Sequence, residues 1–180
     1  MRHVAILIET SRAYGRGLLR GISRFNRERG QWSTYFQPQG LGDPPPPWLA
    51  NWHGDGIIAR IDNVQLAQAV TCSRLPVVNL RGTLDGLECP FIGSNNKAIG
   101  RLGAQHLLER GFRHFGFCGF VCGYHSGLDR RRDSFGRFIE QAGYVCEVLQ
   151  EPPRKRPRSW EQQQEWLARW ITRLPKPVGQ

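Results

Sequence analysis

Short, continuous apolar runs alternate along this chain with longer stretches in which apolar residues recur every three or four positions. The first run lies between His3 and Glu9 and holds Val4-Ala5-Ile6-Leu7-Ile8, which reads as a strand buried on both faces. A helix follows from about Tyr14 to Arg29. At 100° per residue Leu18, Ile22 and Phe25 share one face, Arg16, Arg20, Arg24 and Arg27 share the other, and Gly30 stops the helix. Trp32 to Phe36 reads as a second strand, and Pro44-Pro45-Pro46-Pro47 forbids a helix after it. Strands are expected near 3–9, 56–60, 76–80, 115–119 and 145–149, with a brief extended piece at Phe91-Ile92-Gly93. Helices are expected over about 63–71, 96–110 capped by Asn95, 129–142, and 160–173 capped by Ser159. Pro152 to Arg158 reads as a basic surface loop, and Pro175 and Pro177 end the last helix.

Strands alternating with helices in this way predict an α/β chain with a mainly parallel sheet and right-handed crossovers. Ligands in such folds bind beyond the carboxyl ends of the strands. The stretches that matter are therefore Thr10 to Tyr14, Arg60 to Asn63, Asn79 to Arg81 and Gly119 to Arg131.

Length and composition narrow the picture. With 180 residues the chain makes one domain or two small ones, and 39% hydrophobic with 22% charged residues are globular values. Its longest apolar runs are too short for a membrane span, and the N-terminal run is too short for a signal-peptide core, so a cytoplasmic location is expected. The five cysteines form no C-x-x-C pair and keep no metal spacing with histidines. Reduced structural thiols are expected, and no metal site. The net charge of +10 invites a nucleic-acid reading, but the arginines on the first helix read better as a solvated face than as a surface for an acidic partner, a second subunit or a phosphate backbone.

Several chemical readings weaken on inspection. Gly15-x-Gly17-x-x-x-Gly21 lies beyond the turn where a dinucleotide-binding glycine motif belongs, and no acidic residue closes the second strand. The glycines read better as close helix–sheet packing, and no nucleotide cofactor is expected. His106 shares the angle of Ile99 and Leu102, so a buried, hydrogen-bonded histidine is expected there. Ser11 lacks a nucleophile-elbow context, so no catalytic residue is assigned. Arg131 is more informative. It shares the angle of Phe135, Phe138 and Ala142, a charge on the buried stripe in the first turn of its helix, where it could fork to sugar hydroxyls or an anion or make an internal ion pair.

The segment Ser94-Asn95-Asn96-Lys97 through Gly116-Phe117, with His106-Leu107 before Gly111, resembles the crossover of the lactose- and galactose-repressor sensor fold, with Asn95 where that family has Asp. Trp52-His53-Gly54-Asp55-Gly56-Ile57-Ile58-Ala59 and the helix with Trp160, Leu167 and Trp170 before Leu174-Pro175 resemble the xylose operon regulatory proteins more closely. The resemblance implies a two-lobe, periplasmic-binding-protein-like type I sensor: residues 1–94 as an N-terminal α/β lobe and 95–180 as a partial second lobe. It also implies closure on a monosaccharide effector, a pentose such as xylose. DNA would be bound only through a C-terminal helix-turn-helix domain absent from this sequence. A homodimer is possible on this reading, with no membrane partner. The chain reads as truncated, ending two residues into a strand that begins near Val178, so pentose binding no tighter than millimolar is expected of it.

The leading expectation is thus the sugar-sensing portion of a transcription regulator, not an enzyme. The alternatives are an exported sugar-binding protein for transport and a small flavodoxin-like nucleotide-binding enzyme. A pentose needs forked donors and an aromatic wall, and the candidates are Ser11, Arg12, Tyr14 and Arg131, with Arg60 and Asn79. The repressor-type arginine, four residues before an aromatic, falls on Arg131 with Phe135.

Overall fold

The computed structural model describes residues 1–40, 42–82, 84, 86–120, 122–123, 125–149 and 159–175. The chain divides into two compact units, Met1–Gly93 and a second from Ser94 onward.

Unit 1 runs β1 (Arg2–Leu7), α1 (Ala13–Arg29), β2 (Trp32–Phe36), a 3-10 turn (Pro47–Asn51), β3 (Gly56–Ala59), α2 (Val64–Cys72) and β4 (Val77–Asn79). Its strands form one parallel sheet in the order β2-β1-β3-β4. Alternate residues of β1 feed opposite layers, which is why the run is apolar throughout. Ala5 and Leu7, with Ile57 and Ala59, pack on Leu66, Ala67 and Val70 of α2 and on Leu49. Ile6 and Ile8 pack with Leu80 on Leu18, Leu19 and Ile22 of α1. Both sheet faces are covered, as a parallel sheet requires. In the Trp52–Asp55 stretch the Trp52 ring lies so close to Gly54 that an added Cβ would collide with it, and the Asp55 carboxylate accepts the His3 backbone N–H at 2.6 Å.

Unit 2 runs α3 (Asn96–Glu109), β5 (Phe115–Cys118), α4 (Ser126–Gln141), β6 (Cys146–Leu149) and α5 (Trp160–Arg173), with β5 and β6 paired in parallel. Ala104, Phe115, Phe135 and Ile139 form its core. α5 covers the other face of β5 by laying Trp170 and Leu174 over Gly116, where a Cβ would sit 2.9 Å from the Trp170 ring. α5 buries no residue fully, and Trp160 and Ile171 are exposed. α3 and α4 cross closely at Gly100, where any Cβ would run into the Arg131 carbonyl oxygen.

Several expectations need correction. β1 ends at Leu7, with Ile8 and Glu9 buried beyond it. α4 begins at Ser126, where His125 Nδ1 accepts the Gly127 amide as an N-cap. Phe91-Ile92-Gly93 reduces to a single bridge between Phe91 and Asn79. His106 is exposed, because α3 buries the small residues Gly100 and Ala104 instead of Ile99 and Leu102. On α4 the buried pair is Phe135 and Ile139, while Ala142 is exposed. Of the three glycines on α1, Gly15 alone packs closely. A Cβ there would collide with the Glu9 carbonyl, whereas Gly17 and Gly21 face open space. The Pro152–Arg158 loop, Pro177 and the strand near Val178 lie outside the described residues. All five cysteines are free thiols. Burial, with Glu140 and Glu147 nearby, pushes the Cys146 thiol above its ordinary pKa. Among the described residues no helix is long and apolar enough to cross a membrane.

Candidate functional site

The order β2-β1-β3-β4 reverses direction between β1 and β3. There the connections leave the sheet on opposite faces, and a crevice opens beyond the carboxyl ends of the two strands. Glu9, two residues past β1, and Arg60, directly after β3, stand at this point and form an ion pair. Their side chains are only 3% and 11% exposed. The Tyr14 ring lies against the Arg60 guanidinium, 5.0 Å from its carbon to the ring centroid, while Tyr14 itself remains half exposed. A cation over an aromatic face gains from the ring quadrupole. Burial lowers the Arg60 pKa and Arg81 lowers it further, with Asp62 opposing. A guanidinium nonetheless stays charged at neutral pH, so the ion pair persists. Buried Nε of Arg60 has no hydrogen-bond partner among the described residues.

The other unit 1 candidates surround this pair in different ways. Ser11 and Arg12 are exposed in the turn after β1. Arg12 is the N-cap of α1 but makes no side-chain capping bond, and the first turn holds no acidic residue, so the positive end of the helix is uncompensated there. Asn79 is 3% exposed, and its Oδ1 accepts the backbone N–H of Arg81 at 2.9 Å and of Ile61 at 3.4 Å. That side chain ties together the loops leaving β3 and β4.

In unit 2 the corresponding position is the end of β5 and the start of α4. Arg131 donates from Nε (3.1 Å) and Nη2 (2.7 Å) to Oδ1 of Asn96. Among the described residues its partner is therefore a neutral amide and not the carboxylate of an internal ion pair. The carboxylates nearby belong to Arg132, which bonds Asp129 at 3.1 Å and Asp133 at 2.8 Å. The Asp133 hydrogen bond holds the Arg132 pKa above its ordinary value, against the opposing effect of burial and with a further contribution from Cys122. Beyond β5 lies a cavity of about 160 Å³ lined by Phe117, Phe120, Leu128, Asp129, Arg131 and Arg132, with Cys118 and Gly119. Aromatic walls, a forked donor and a carboxylate acceptor suit a polyol ring, which presents both apolar C–H faces and hydroxyl edges.

The structure thus places Ser11, Arg12, Tyr14, Arg60 and Asn79 in unit 1, bringing Tyr14 and Arg60 into contact, and places Arg131 in unit 2. Sequence reasoning missed Glu9 and Asn96, which hold the two arginines. An acidic residue closing a continuous apolar run was the available signal for Glu9, since a buried carboxylate demands a cation.

Comparison with known proteins bears on the family and the fold. A family model described as the XylR N-terminal domain matches residues 3–92. The xylose operon regulatory protein of Escherichia coli strain K12 is 26% identical over 99% of this chain and 46% of its own length. That of Haemophilus influenzae is 23% identical over 98% and 46%. This chain therefore spans about half the length of the curated relatives it matches. A solved structure described as the xylose-binding transcription activator XylR superposes with a TM-score of 0.77 at 24% identity, over 97% of this chain and 44% of that one. Further neighbours include periplasmic sugar-binding proteins, so the fold is of the periplasmic-binding-protein type I class.

Proposed function

Because this chain belongs to the XylR N-terminal domain family, we propose that it is an effector-binding part of a sugar-responsive transcription regulator and not an enzyme. The effector is a pentose, with xylose the first to test, and the regulator works in the cytoplasm. Ser11, Arg12, Tyr14 and Arg60 serve as contacts in unit 1, with Asn79 holding the loop behind Arg60. Arg131 serves in unit 2 beside Phe117 and Phe120. DNA is contacted through another domain of the regulator, and the regulator acts as a homodimer.

The observation that carries this reading is the family match over residues 3–92, the stretch containing the Glu9–Arg60 pair and Tyr14. A buried cation preset by a carboxylate, with one aromatic face beside it, forks onto adjacent hydroxyls at little reorganisation cost. Titration of the 180-residue chain with D-xylose, followed by tryptophan fluorescence and calorimetry, tests it. A saturable millimolar response to D-xylose and not to L-xylose is expected, and Tyr14→Ala and Arg131→Ala should each remove it. Identical responses to the two enantiomers, or an unchanged response in both variants, would overturn the reading.

A further inference from the structure

Three glycines at close approaches differ in what stands opposite them. At Gly15 and Gly100 an added Cβ would run into backbone, the carbonyl oxygens of Glu9 and Arg131. At Gly127 the nearest atom is the far end of a side chain. Nδ2 of Asn96 lies 2.7 Å from where a Cβ would sit, with Cε1 of His125 next at 3.0 Å. Gly127 is the second residue of α4 and is buried. Its φ is not left-handed, so any residue could adopt its backbone conformation. A glycine inside a helix also loses more chain entropy on folding than alanine would. Its use at this position is therefore the space it leaves.

The Asn96 side chain fills that space. Asn96 opens α3, but Asn95 caps the helix, its Oδ1 accepting the Ala98 N–H at 3.0 Å. Asn96 is thus not spent on capping. Its Oδ1 accepts Nε and Nη2 of Arg131, thirty-five residues away, and its Nδ2 donates to the Ser94 carbonyl at 3.4 Å. Two bonds along one edge fix the plane of the guanidinium, and Arg131 lines the cavity beyond β5.

We infer that Gly127 is a positioning residue of the unit 2 site: its missing side chain admits the Asn96 amide, and the amide presets Arg131 for a sugar hydroxyl. The ligand in this inference rests on the pentose reading, whereas the positioning rests on the contacts within unit 2. An arginine already fixed by the protein loses less rotamer freedom when a ligand arrives. A methyl group at position 127 pushes the Asn96 amide aside, since a terminal amide yields where a backbone carbonyl does not. Arg131 then loses its acceptor and spreads over several rotamers.

Arginine Nε–H signals in proton–nitrogen NMR spectra of the 180-residue chain, recorded without sugar, test the positioning apart from the ligand. The Arg131 signal is the one that disappears in Arg131→Lys. It should exchange slowly with water in wild type, and in Gly127→Ala as fast as in Asn96→Ala. Gly136→Ala, on the same helix where a Cβ would meet nothing within 4 Å, should leave it unchanged. Calorimetry with D-xylose should give a Kd raised roughly 2- to 10-fold in Gly127→Ala. Gly127→Ala/Asn96→Ala should bind no more weakly than Asn96→Ala, because both changes act through one contact. The double variant also removes the collision, so it keeps the test open if Gly127→Ala folds poorly. An Arg131 signal untouched in Gly127→Ala, an equal change in Gly136→Ala, additive losses in the double variant, or unchanged xylose affinity beside a lost signal would overturn the inference. If wild type does not respond to D-xylose, the pentose reading fails, and the sugar-free spectra still decide whether Gly127 positions Arg131.

Discussion

Two arginines stand at equivalent places in the two units, each at the carboxyl end of a parallel strand or the helix that follows, and each is held differently. Arg60 in unit 1 is buried and held by a buried carboxylate, Glu9. Arg131 in unit 2 is half buried and held by the neutral amide of Asn96. A buried charge needs an opposite charge to offset desolvation, whereas a half-solvated one needs only a good acceptor. The first arrangement therefore makes the arginine part of the stability of its unit. The second leaves it free to exchange that partner for water at small cost.

The largest effect that should separate the two units is at Glu9. Glu9→Ala leaves Arg60 charged and unpaired in the sheet-end layer, and should destabilise unit 1 by about 3–5 kcal/mol. Glu9→Leu/Arg60→Met should recover most of that loss. Urea unfolding followed through Trp48 and Trp52 measures both, and a single variant no weaker than the double would show that the pair is not coupled.

Next in size come the glycines. Gly100→Ala pushes a Cβ into the Arg131 carbonyl and should cost about 1–3 kcal/mol by forcing α3 and α4 apart. Gly17→Ala adds a methyl in open space on a helix and should stabilise α1 by about 0.5–1 kcal/mol. Opposite signs in thermal melts would confirm which glycine is a packing element.

Asn96→Ala tests the looser arginine. Arg131 can turn to water when its acceptor is removed, so the loss should be about 1 kcal/mol, well below that at Glu9. A loss as large as that at Glu9 would show that the two arginines are held alike. The smallest effect concerns pH. The Glu161 backbone amide and the Ser159 hydroxyl hold the Glu161 carboxyl below its ordinary range. The unfolded chain then binds the proton first, so the contribution to α5 is present above the ordinary carboxylate range and fades as pH falls through the lowered value. Helical content of wild type and Glu161→Gln, followed on acidification, should differ in the opening of that fall and converge at its end.

Much of the fold was legible because its determinants are local. Continuous apolar runs flanked by turn residues located the main strands, and Gly30, Asn95 and Ser159 marked helix ends through backbone chemistry that acts over three or four residues. The errors arose where local pattern and tertiary contact disagree. Large side chains suggested that Ile99, Leu102 and His106 formed the buried stripe of α3. Close crossing with α4 instead selected its smallest face, Gly100 and Ala104, since only small residues let two helix backbones approach.

The sequence alone thus determined an α/β chain and the positions of most of its elements, because periodicity and capping are carried by neighbouring residues. It also bore the Trp-containing stretches by which the family could be suspected. Only tertiary structure decided that β1 lies beside β3, and with it that Glu9 reaches Arg60, fifty-one residues away. Only tertiary structure gave Arg131 to Asn96 and left Asp133 to Arg132. Strand order and helix crossing are set by competition among whole layers for apolar cover, and side chains far apart in sequence learn their partners only once that competition is resolved.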